Sequence, residues 1–232
     1  MVQLIVFDLA GTTVFDADAV NHTLKQALAA AGVRASRDQI NALMGQPTAT
    51  AIADLLAAFR GQAAASADAV DAVLTDFVQR MVWHYESHPH VAECDGASDL
   101  FAWCHRHGIL TALGSGLPRT VANAAIARMG WREQGLIDAT ITSDEVPRGR
   151  PHPDMVERLM TLTGVTDPML VAKVGDTPMD IREGQAAGCR FVIGVTSGTH
   201  PAEALRAHAP THLIAELLEI PDLLAEAEAG AA

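Results

Sequence analysis

The stretch Leu4-Ile5-Val6-Phe7-Asp8-Leu9-Ala10-Gly11-Thr12-Thr13 opens with an apolar run that ends on a carboxylate and enters a Gly-Thr-Thr turn. An apolar run of this length with β-branched residues is typical of a buried strand. Ligands of open α/β sheets bind at the carboxyl ends of the strands. The sequence therefore predicts that Asp8 is a nucleophile or metal ligand at a strand end. Two residues further on, where a second acid could stand, the chain has Ala10.

The length, the net charge and the cysteine content restrict the classes of function that are open to this chain. The chain has 232 residues and a formal net charge of −12, enough length for a large domain or for a core with a smaller domain. The negative charge argues against a nucleic-acid or anionic-membrane partner, because phosphate repulsion would not be offset. An odd number of widely spaced cysteines (Cys94, Cys104 and Cys189) and no long apolar run predict a reduced, cytoplasmic protein.

Short apolar runs alternate with helical patterns along most of the chain. The predicted strands are 2–7, 109–114, 139–142, 170–174, 191–195 and 211–214, and the predicted helices between the later runs are 118–129, 153–163, 178–187 and 201–208. Several of these helices begin at a proline, which suits the first helical turn. The alternation predicts an α/β fold, a Rossmann-like parallel sheet with helices on both faces.

The region from about residue 15 to residue 90 breaks this alternation. It is rich in alanine and its apolar residues repeat at helical spacing, which predicts helices near 20–31, 36–44, 49–60 and 68–85. We therefore predict a helical cap domain, residues 16–90, inserted into a core domain of residues 1–15 and 91–232. The hinges are expected near 14–17 and 87–95, and the tail after Leu224 is expected to fray.

Three further segments at predicted strand ends carry groups that suit phosphoryl transfer. Gly114–Arg119 offers a hydroxyl and backbone amides to an anion. Arg148–Asp154 places Arg150 on a proline-bracketed loop, where it can neutralise developing charge. Lys173–Ile181 ends a strand at Asp176 and starts a helix at Thr177. Asp8 and Asp176 at adjacent strand ends would form an oxygen-ligand site suited to Mg²⁺.

Together with Asp8, these segments resemble, in order and position, the haloacid dehalogenase-like superfamily of hydrolases. The resemblance implies that Asp8 is both the nucleophile, which forms an aspartyl-phosphate, and a Mg²⁺ ligand. It implies three further metal-site members: Asp176, Asp180 and the backbone carbonyl of Ala10. It also implies that phosphoryl oxygens are bound by Thr12, Ser115, Gly116 and Arg150, with Ser115 and Arg150 counted among the catalytic residues.

Two departures from the common pattern point to one branch. Typical phosphatases of the superfamily carry an acid at the position of Ala10, which protonates the leaving group. Asp-Leu-Ala-Gly-Thr-Thr followed later by Gly-Arg-Pro is similar to the phosphonoacetaldehyde hydrolases, which use a cap lysine to form a Schiff base instead. Here that position is Thr48, and the chain has only Lys25 and Lys173. The sequence thus leaves the group that assists the leaving group unidentified.

Several alternatives stay open at this point. The leaving group could depart unassisted, take a proton from a cap histidine such as His22, or use a proton of the substrate. The leading hypothesis is Mg²⁺-dependent hydrolysis of a small phosphorylated or phosphonate metabolite. Phosphonoacetaldehyde hydrolysis proper, haloacid dehalogenation and a catalytically impaired phosphate-binding module are the alternatives. The first cap helix could pair with a second copy, so a homodimer is left open.

Overall fold

A fully parallel β-sheet lies at the centre of the computed structural model, which describes residues 1–229. Its strands, in the order β3-β2-β1-β4-β5-β6 across the sheet, confirm the predicted parallel α/β fold. Their bounds are β1 Leu4–Phe7, β2 Leu110–Ser115, β3 Ala139–Thr142, β4 Val171–Gly175, β5 Phe191–Val195 and β6 His212–Ile214. All six fall within a residue or two of the predicted segments.

Strand β1 is in the middle of the sheet because it pairs with β2 on one side and β4 on the other. Phe7 is in register with Leu113 of β2 and with Val174 of β4. All four residues of β1 are buried, as expected for a strand covered on both faces. The residues that follow β1, β2 and β4 therefore meet at one edge of the sheet, where the strand order reverses.

Helices cover the sheet and form the insertion. Their bounds are α1 Ala19–Ala30, α2 Arg37–Asn41, α3 Thr48–Arg60, α4 Ala67–Ser87, α5 Ala97–Arg106, α6 Arg119–Met129, α7 Asp154–Thr163, α8 Pro178–Ala186, α9 Ala202–Arg206 and α10 Ile220–Ala229. Local sequence determines where two of these helices begin. Ser36 and Gln39 form a capping box at the start of α2, and Thr177 and Asp180 form another at the start of α8. Across residues 1–229, no helix combines the length and apolar character needed to span a membrane.

Helices α1 to α4 occupy the predicted cap region between β1 and α5. Helix α1 packs against α4, and the buried Leu24, Leu28, Phe77 and Met81 join these helices to the main hydrophobic cluster. The two connections to the rest of the chain pair with each other, since the amide of Phe15 donates to Ala92 O and the amide of Cys94 donates to Thr13 O. The two paired segments lie at or next to the stretches 14–17 and 87–95, where hinges stay a prediction.

Three local expectations need correction. Helix α5 was not predicted, although its buried side chains Leu100, Phe101 and Cys104 follow helical spacing. Helix α2 is shorter than the predicted 36–44 because its capping box is followed by only one full turn. Helix α10 continues past Leu224 to Ala229, with Ile220 and Leu224 buried, so the described part of the tail is helical. The remainder of the expected frayed tail, 230–232, lies outside the described residues.

Candidate active site

Three carboxylates meet at the strand ends beside β1. Asp8 follows β1, Asp176 follows β4, and Asp180 lies in the first turn of α8; each is at most 5% exposed. One oxygen of each lies within 4.8 Å of the others, an arrangement that could hold a metal ion. The structure therefore brings together the three acidic side chains that the sequence assigned to a metal site, and Ala10 lines the cavity beside Asp8.

Arg150 connects these carboxylates. Its Nη1 lies 2.8 Å from Asp8 Oδ1 and 3.0 Å from Asp180 Oδ1, and its Nε lies 2.9 Å from Glu183 Oε2. Its Nη2 also donates to the carbonyl of Gly114, in β2. The guanidinium is thus held in one orientation by three elements, with Asp8 in direct contact.

Two buried residues of this network were missed by the sequence analysis. Lys173, on β4, is completely buried and its Nζ lies 2.6 Å from Asp180 Oδ1 and 3.5 Å from Glu183 Oε2. Glu183 lies one turn after Asp180 on α8, a spacing that places both on one face of the helix and could have suggested the pairing. Sequence reasoning treated Lys173 as a residue of a core strand and gave it no partner.

The charges of the site favour a divalent cation. Four buried carboxylates (Asp8, Asp176, Asp180 and Glu183) are matched by two buried cations, Arg150 and Lys173. When all six groups are ionised, two negative charges are uncompensated. Burying unpaired charge is costly, so a 2+ ion would balance the site. Oxygen-only ligands suit Mg²⁺, and the residues present therefore fit the implied metal.

The pKa values of Asp8, Asp176 and Asp180 reflect their burial and the charges around them. Burial raises the pKa of Asp8 to about 7, although Arg150 opposes the shift. Burial and the neighbouring charge of Asp180 raise the pKa of Asp176 to about 6. For Asp180, burial acts in the same direction, but Arg150 and Lys173 outweigh it and the pKa is lowered. Asp180 is therefore the carboxylate that stays ionised in the metal-free protein, while Asp8 and Asp176 readily take up protons.

In the loop after β1, Gly11 and Thr12 lie against Asp176 and do not line the cavity. The Thr12 hydroxyl donates to Asp176 Oδ1 across 2.9 Å, and the Thr199 amide donates to Asp176 Oδ2 across 2.6 Å. Gly11 has a φ of 86°, and a Cβ there would lie 2.4 Å from Asp176 Oδ2, so the close approach requires glycine. Thr12 does not line the cavity, in contrast to Ser115, Gly116 and Arg150; its hydroxyl is directed to Asp176, and its substrate-binding role stays a prediction.

A cavity opens above Asp8, with about 570 Å³ of empty space that includes its mouth to solvent. Ser115, Gly116 and Arg150 line it together with Asp8, as the sequence predicted. The Ser115 hydroxyl accepts from the Leu117 amide, which leaves its proton free to donate to an anion. Most side chains that line the cap side are apolar (Val20, Leu24, Leu43, Met44, Ala51 and Phe77), and Gln46 and Thr48 are the polar ones.

The cap is docked onto the core next to this cavity. Thr48 donates twice to the Gly116 carbonyl, from its amide across 3.1 Å and its hydroxyl across 3.2 Å. A Cβ at Gly116 would lie 2.7 Å from the carbonyl oxygen of Gln46, so only glycine allows this approach. Neither lysine of the chain lines the cavity: Lys25 is exposed on α1, and Lys173 is committed to Asp180.

Asp16, in the connection between β1 and α1, lines the same cavity and was overlooked by the sequence analysis. It is the first acid after the Gly-Thr-Thr turn, which is the signal that could have identified it. His22, the cap histidine singled out from the sequence, is exposed, contacts Gln26 and borders an outer cleft that Asp16 also lines. Of these two groups, Asp16 shares the cavity with Asp8 and His22 does not.

Comparison with known proteins agrees with this geometry. The chain is 30% identical over 200 residues to a phosphonoacetaldehyde hydrolase of Latilactobacillus sakei, covering 81% of this chain and 73% of the relative. It is 28% identical to a phosphoglycolate phosphatase of Cereibacter sphaeroides, covering 95% and 96% of the two chains. A phosphonoacetaldehyde hydrolase-like protein of Oleispira antarctica has the same fold, with a TM-score of 0.83, 19% identity and coverage of 97% and 92%. Residues 2–188 match the haloacid dehalogenase-like hydrolase family, and the chain is a hydrolase of that family.

Proposed function

We propose that this protein is a Mg²⁺-dependent hydrolase that cleaves a small phosphorylated or phosphonate metabolite through an aspartyl-phosphate on Asp8. The observation that carries the proposal is the position of Asp8: buried at the end of β1, 2.8 Å from Arg150, and facing a cavity that Ser115 and Gly116 also line. In this arrangement one carboxylate oxygen is available to attack phosphorus while the phosphoryl oxygens meet fixed donors.

Asp8, Asp176, Asp180 and the carbonyl of Ala10 would hold the Mg²⁺. When bound, the ion neutralises charge on the phosphoryl group and on Asp8. Asp8 attacks in its ionised form, and burial holds its pKa near 7 in the metal-free protein. Arg150 stabilises that ionised form and the charge that develops on the transferred group. Ser115 and the Gly116 amide orient the phosphoryl oxygens. Lys173 and Thr177 donate hydrogen bonds to Asp180 and fix its carboxylate for holding the metal.

The cavity favours a small leaving group without a second negative charge. Within the described residues, Arg150 is the one cation that lines it, and Arg150 already contacts Asp8. A substrate with a further carboxylate or phosphate would therefore leave that charge buried without a partner, which is costly. The apolar side chains of the cap instead suit an uncharged organic group.

Phosphonoacetaldehyde hydrolysis is the second candidate, favoured by the relative from Latilactobacillus sakei. Formation of a Schiff base requires a lysine amine at the cavity. Neither Lys25 nor Lys173 lines the cavity, so this route has no amine there. Incubation with phosphonoacetaldehyde and borohydride tests it: a covalent adduct would restore this candidate, and its absence would exclude the imine route.

The proposed function is tested by a screen of phosphate release. Purified protein with Mg²⁺ is incubated with phosphorylated metabolites, phosphonates and acetyl phosphate, with the Asp8→Asn variant as control. We expect phosphate release by the wild type with at least one compound, and none by the variant despite an unchanged circular dichroism spectrum. Equal release by both proteins would reject Asp8 as nucleophile, and release by neither would favour an impaired phosphate-binding module.

A further inference from the structure

Asp16 is the one acidic side chain that lines the cavity above Asp8 without belonging to the three-carboxylate group. Its Oδ1 accepts from the Val20 amide across 3.2 Å at the start of α1. In the described part of the chain it has no ion-pair partner, in contrast to its neighbour Asp18, which pairs with Arg37. The carboxyl group is therefore not committed to a cation and is available to exchange a proton.

The surroundings of Asp16 keep that proton available near neutral pH. Burial raises the pKa of Asp16 to about 6, and the charges of Asp18 and Asp8 add to the shift, while the Val20 amide opposes it. An acid whose pKa lies near the working pH is well matched to donating a proton and taking it back. A fully exposed aspartate would be ionised under the same conditions.

Tyr85, on α4, carries a second buried polar group that is not paired. It is 1% exposed, and its hydroxyl has no hydrogen-bond partner among residues 1–229. Native proteins pair nearly all such buried groups, so an exception calls for a water or ligand. Burial raises the pKa of Tyr85 well above its usual range, and the charges of Asp16 and Asp8 raise it further, so this hydroxyl keeps its proton.

We propose that Asp16 is the catalytic acid and base that replaces the side chain absent at Ala10, and that the site hydrolyses phosphate esters of small, uncharged alcohols. This inference rests on the proposed function of Asp8. It also selects among the substrates left open, because an alkoxide is a poor leaving group that needs a proton. Cleavage of a phosphonate aldehyde needs an electron sink instead, which Asp16 cannot provide.

The two half-reactions balance as follows. An Asp8 oxygen forms a bond to phosphorus as the bond from phosphorus to the ester oxygen breaks, and the Asp16 carboxyl gives its proton to that oxygen, releasing the alcohol. The Asp16 carboxylate then takes a proton from water as the water oxygen attacks phosphorus and the bond to Asp8 breaks. Phosphate leaves, and both aspartates return to their starting states.

A comparison of two substrates of similar size distinguishes a catalytic role of Asp16 from a structural one. Ethyl phosphate has an alkoxide leaving group that requires protonation, whereas acetyl phosphate releases acetate, which departs without it. The variant Asp16→Asn keeps the oxygen that accepts from Val20. Removal of a catalytic acid typically costs about 10²–10⁴-fold in rate. We therefore expect the single-turnover rate of aspartyl-phosphate formation from ethyl phosphate to fall by about 100-fold or more, and that from acetyl phosphate to change by less than about 10-fold. Hydrolysis of the aspartyl-phosphate should slow equally for both substrates, because Asp16 also acts as the base in that step.

The matched control is Asp18→Asn, which removes a neighbouring carboxylate that pairs with Arg37 outside the cavity lining. It should hydrolyse both substrates at the wild-type rate, and Asp16→Glu should retain part of the activity on ethyl phosphate. An equal loss in the rate of aspartyl-phosphate formation from both substrates in Asp16→Asn, or no loss with ethyl phosphate, would overturn the role of Asp16 while leaving Asp8 as nucleophile. If the wild type does not cleave ethyl phosphate, this inference is overturned, whereas the proposed function is decided by the wider screen of phosphorylated and phosphonate compounds.

Discussion

The hydroxyl and the amide of Thr48 both donate to the carbonyl oxygen of Gly116, across 3.2 and 3.1 Å. Thr48 begins helix α3 of the cap, and Gly116 follows β2 of the core. The position at which related phosphonoacetaldehyde hydrolases are expected to carry a lysine is therefore used here to dock the cap onto the core. This contact closes the cavity beside Ser115 without placing an amine in it.

The Thr48→Val variant should loosen this docking. The valine keeps the amide bond to Gly116 but loses the hydroxyl bond, a change worth about 1 kcal/mol or roughly five-fold in an equilibrium. We expect KM to rise about five-fold with a smaller change in kcat, because the chemistry at Asp8 is untouched. Steady-state kinetics measure this. Thr50→Val, at an exposed position of the same helix, is the control and should leave KM unchanged.

Arg150 should be the most important single side chain for the stability of the site. Arg150→Met leaves Asp8, Asp180 and Glu183 buried with only Lys173 nearby. Breaking a buried ion pair by removing one partner typically costs about 3–5 kcal/mol, and urea unfolding should show a loss of that size. Arg148→Met is the matched control, because Arg148 is exposed and pairs with Asp154 at the surface. Similar unfolding midpoints for the two variants would contradict the buried network.

Thr12→Val should weaken metal binding more than it weakens the fold. The variant loses the hydrogen bond to Asp176, and losing a partner that orients a metal ligand typically costs about 10–100-fold in affinity. Titration of Mg²⁺ followed by thermal unfolding should show the weaker binding independently of activity. Thr13→Val removes an equally buried hydroxyl that bonds to the backbone carbonyl of Asp8 instead. A comparable loss of Mg²⁺ affinity in both variants would argue against the positioning role of Thr12.

The metal-free protein should become less stable relative to Asp8→Asn as the pH rises from about 5 to 7.5. The folded-state pKa of Asp8 is raised from 3.8 to about 7, so the folded state binds a proton that the unfolded state has already lost. This contribution is fully present below pH 3.8 and disappears as the pH passes 7. Buried histidines such as His200 have lowered pKa values and act in the opposite direction, which makes the comparison with the variant necessary.

Thermal unfolding across this pH range, with and without Mg²⁺, measures the effect. Asp8→Asn cannot titrate at this position, so its melting temperature should fall less steeply with pH than that of the wild type. Added Mg²⁺ should stabilise the wild type most at the alkaline end, where the carboxylates are ionised. Parallel curves for the two proteins would show that Asp8 does not carry the raised pKa.

The sequence by itself determined the strands, the parallel sheet and the positions of Asp8, Ser115, Arg150, Asp176 and Asp180. These follow from local patterns, because a buried strand and the turn after it are encoded by adjacent residues. It also showed the absence of an acid at Ala10 and of a lysine at Thr48. Helix α5 was not predicted, although the helical spacing of its buried side chains is a local pattern.

Only the tertiary structure decided how these groups are paired. Lys173 and Glu183 join the site because β4 and α8 pack side by side, and Thr12 turns to Asp176 because a glycine lets the loop approach it. Asp16 lines the cavity from the connection between β1 and α1, where its side chain accepts from the Val20 amide. Such placements depend on contacts between residues far apart in the chain and on burial, which shifts the pKa of a carboxyl group only once the fold has removed it from water.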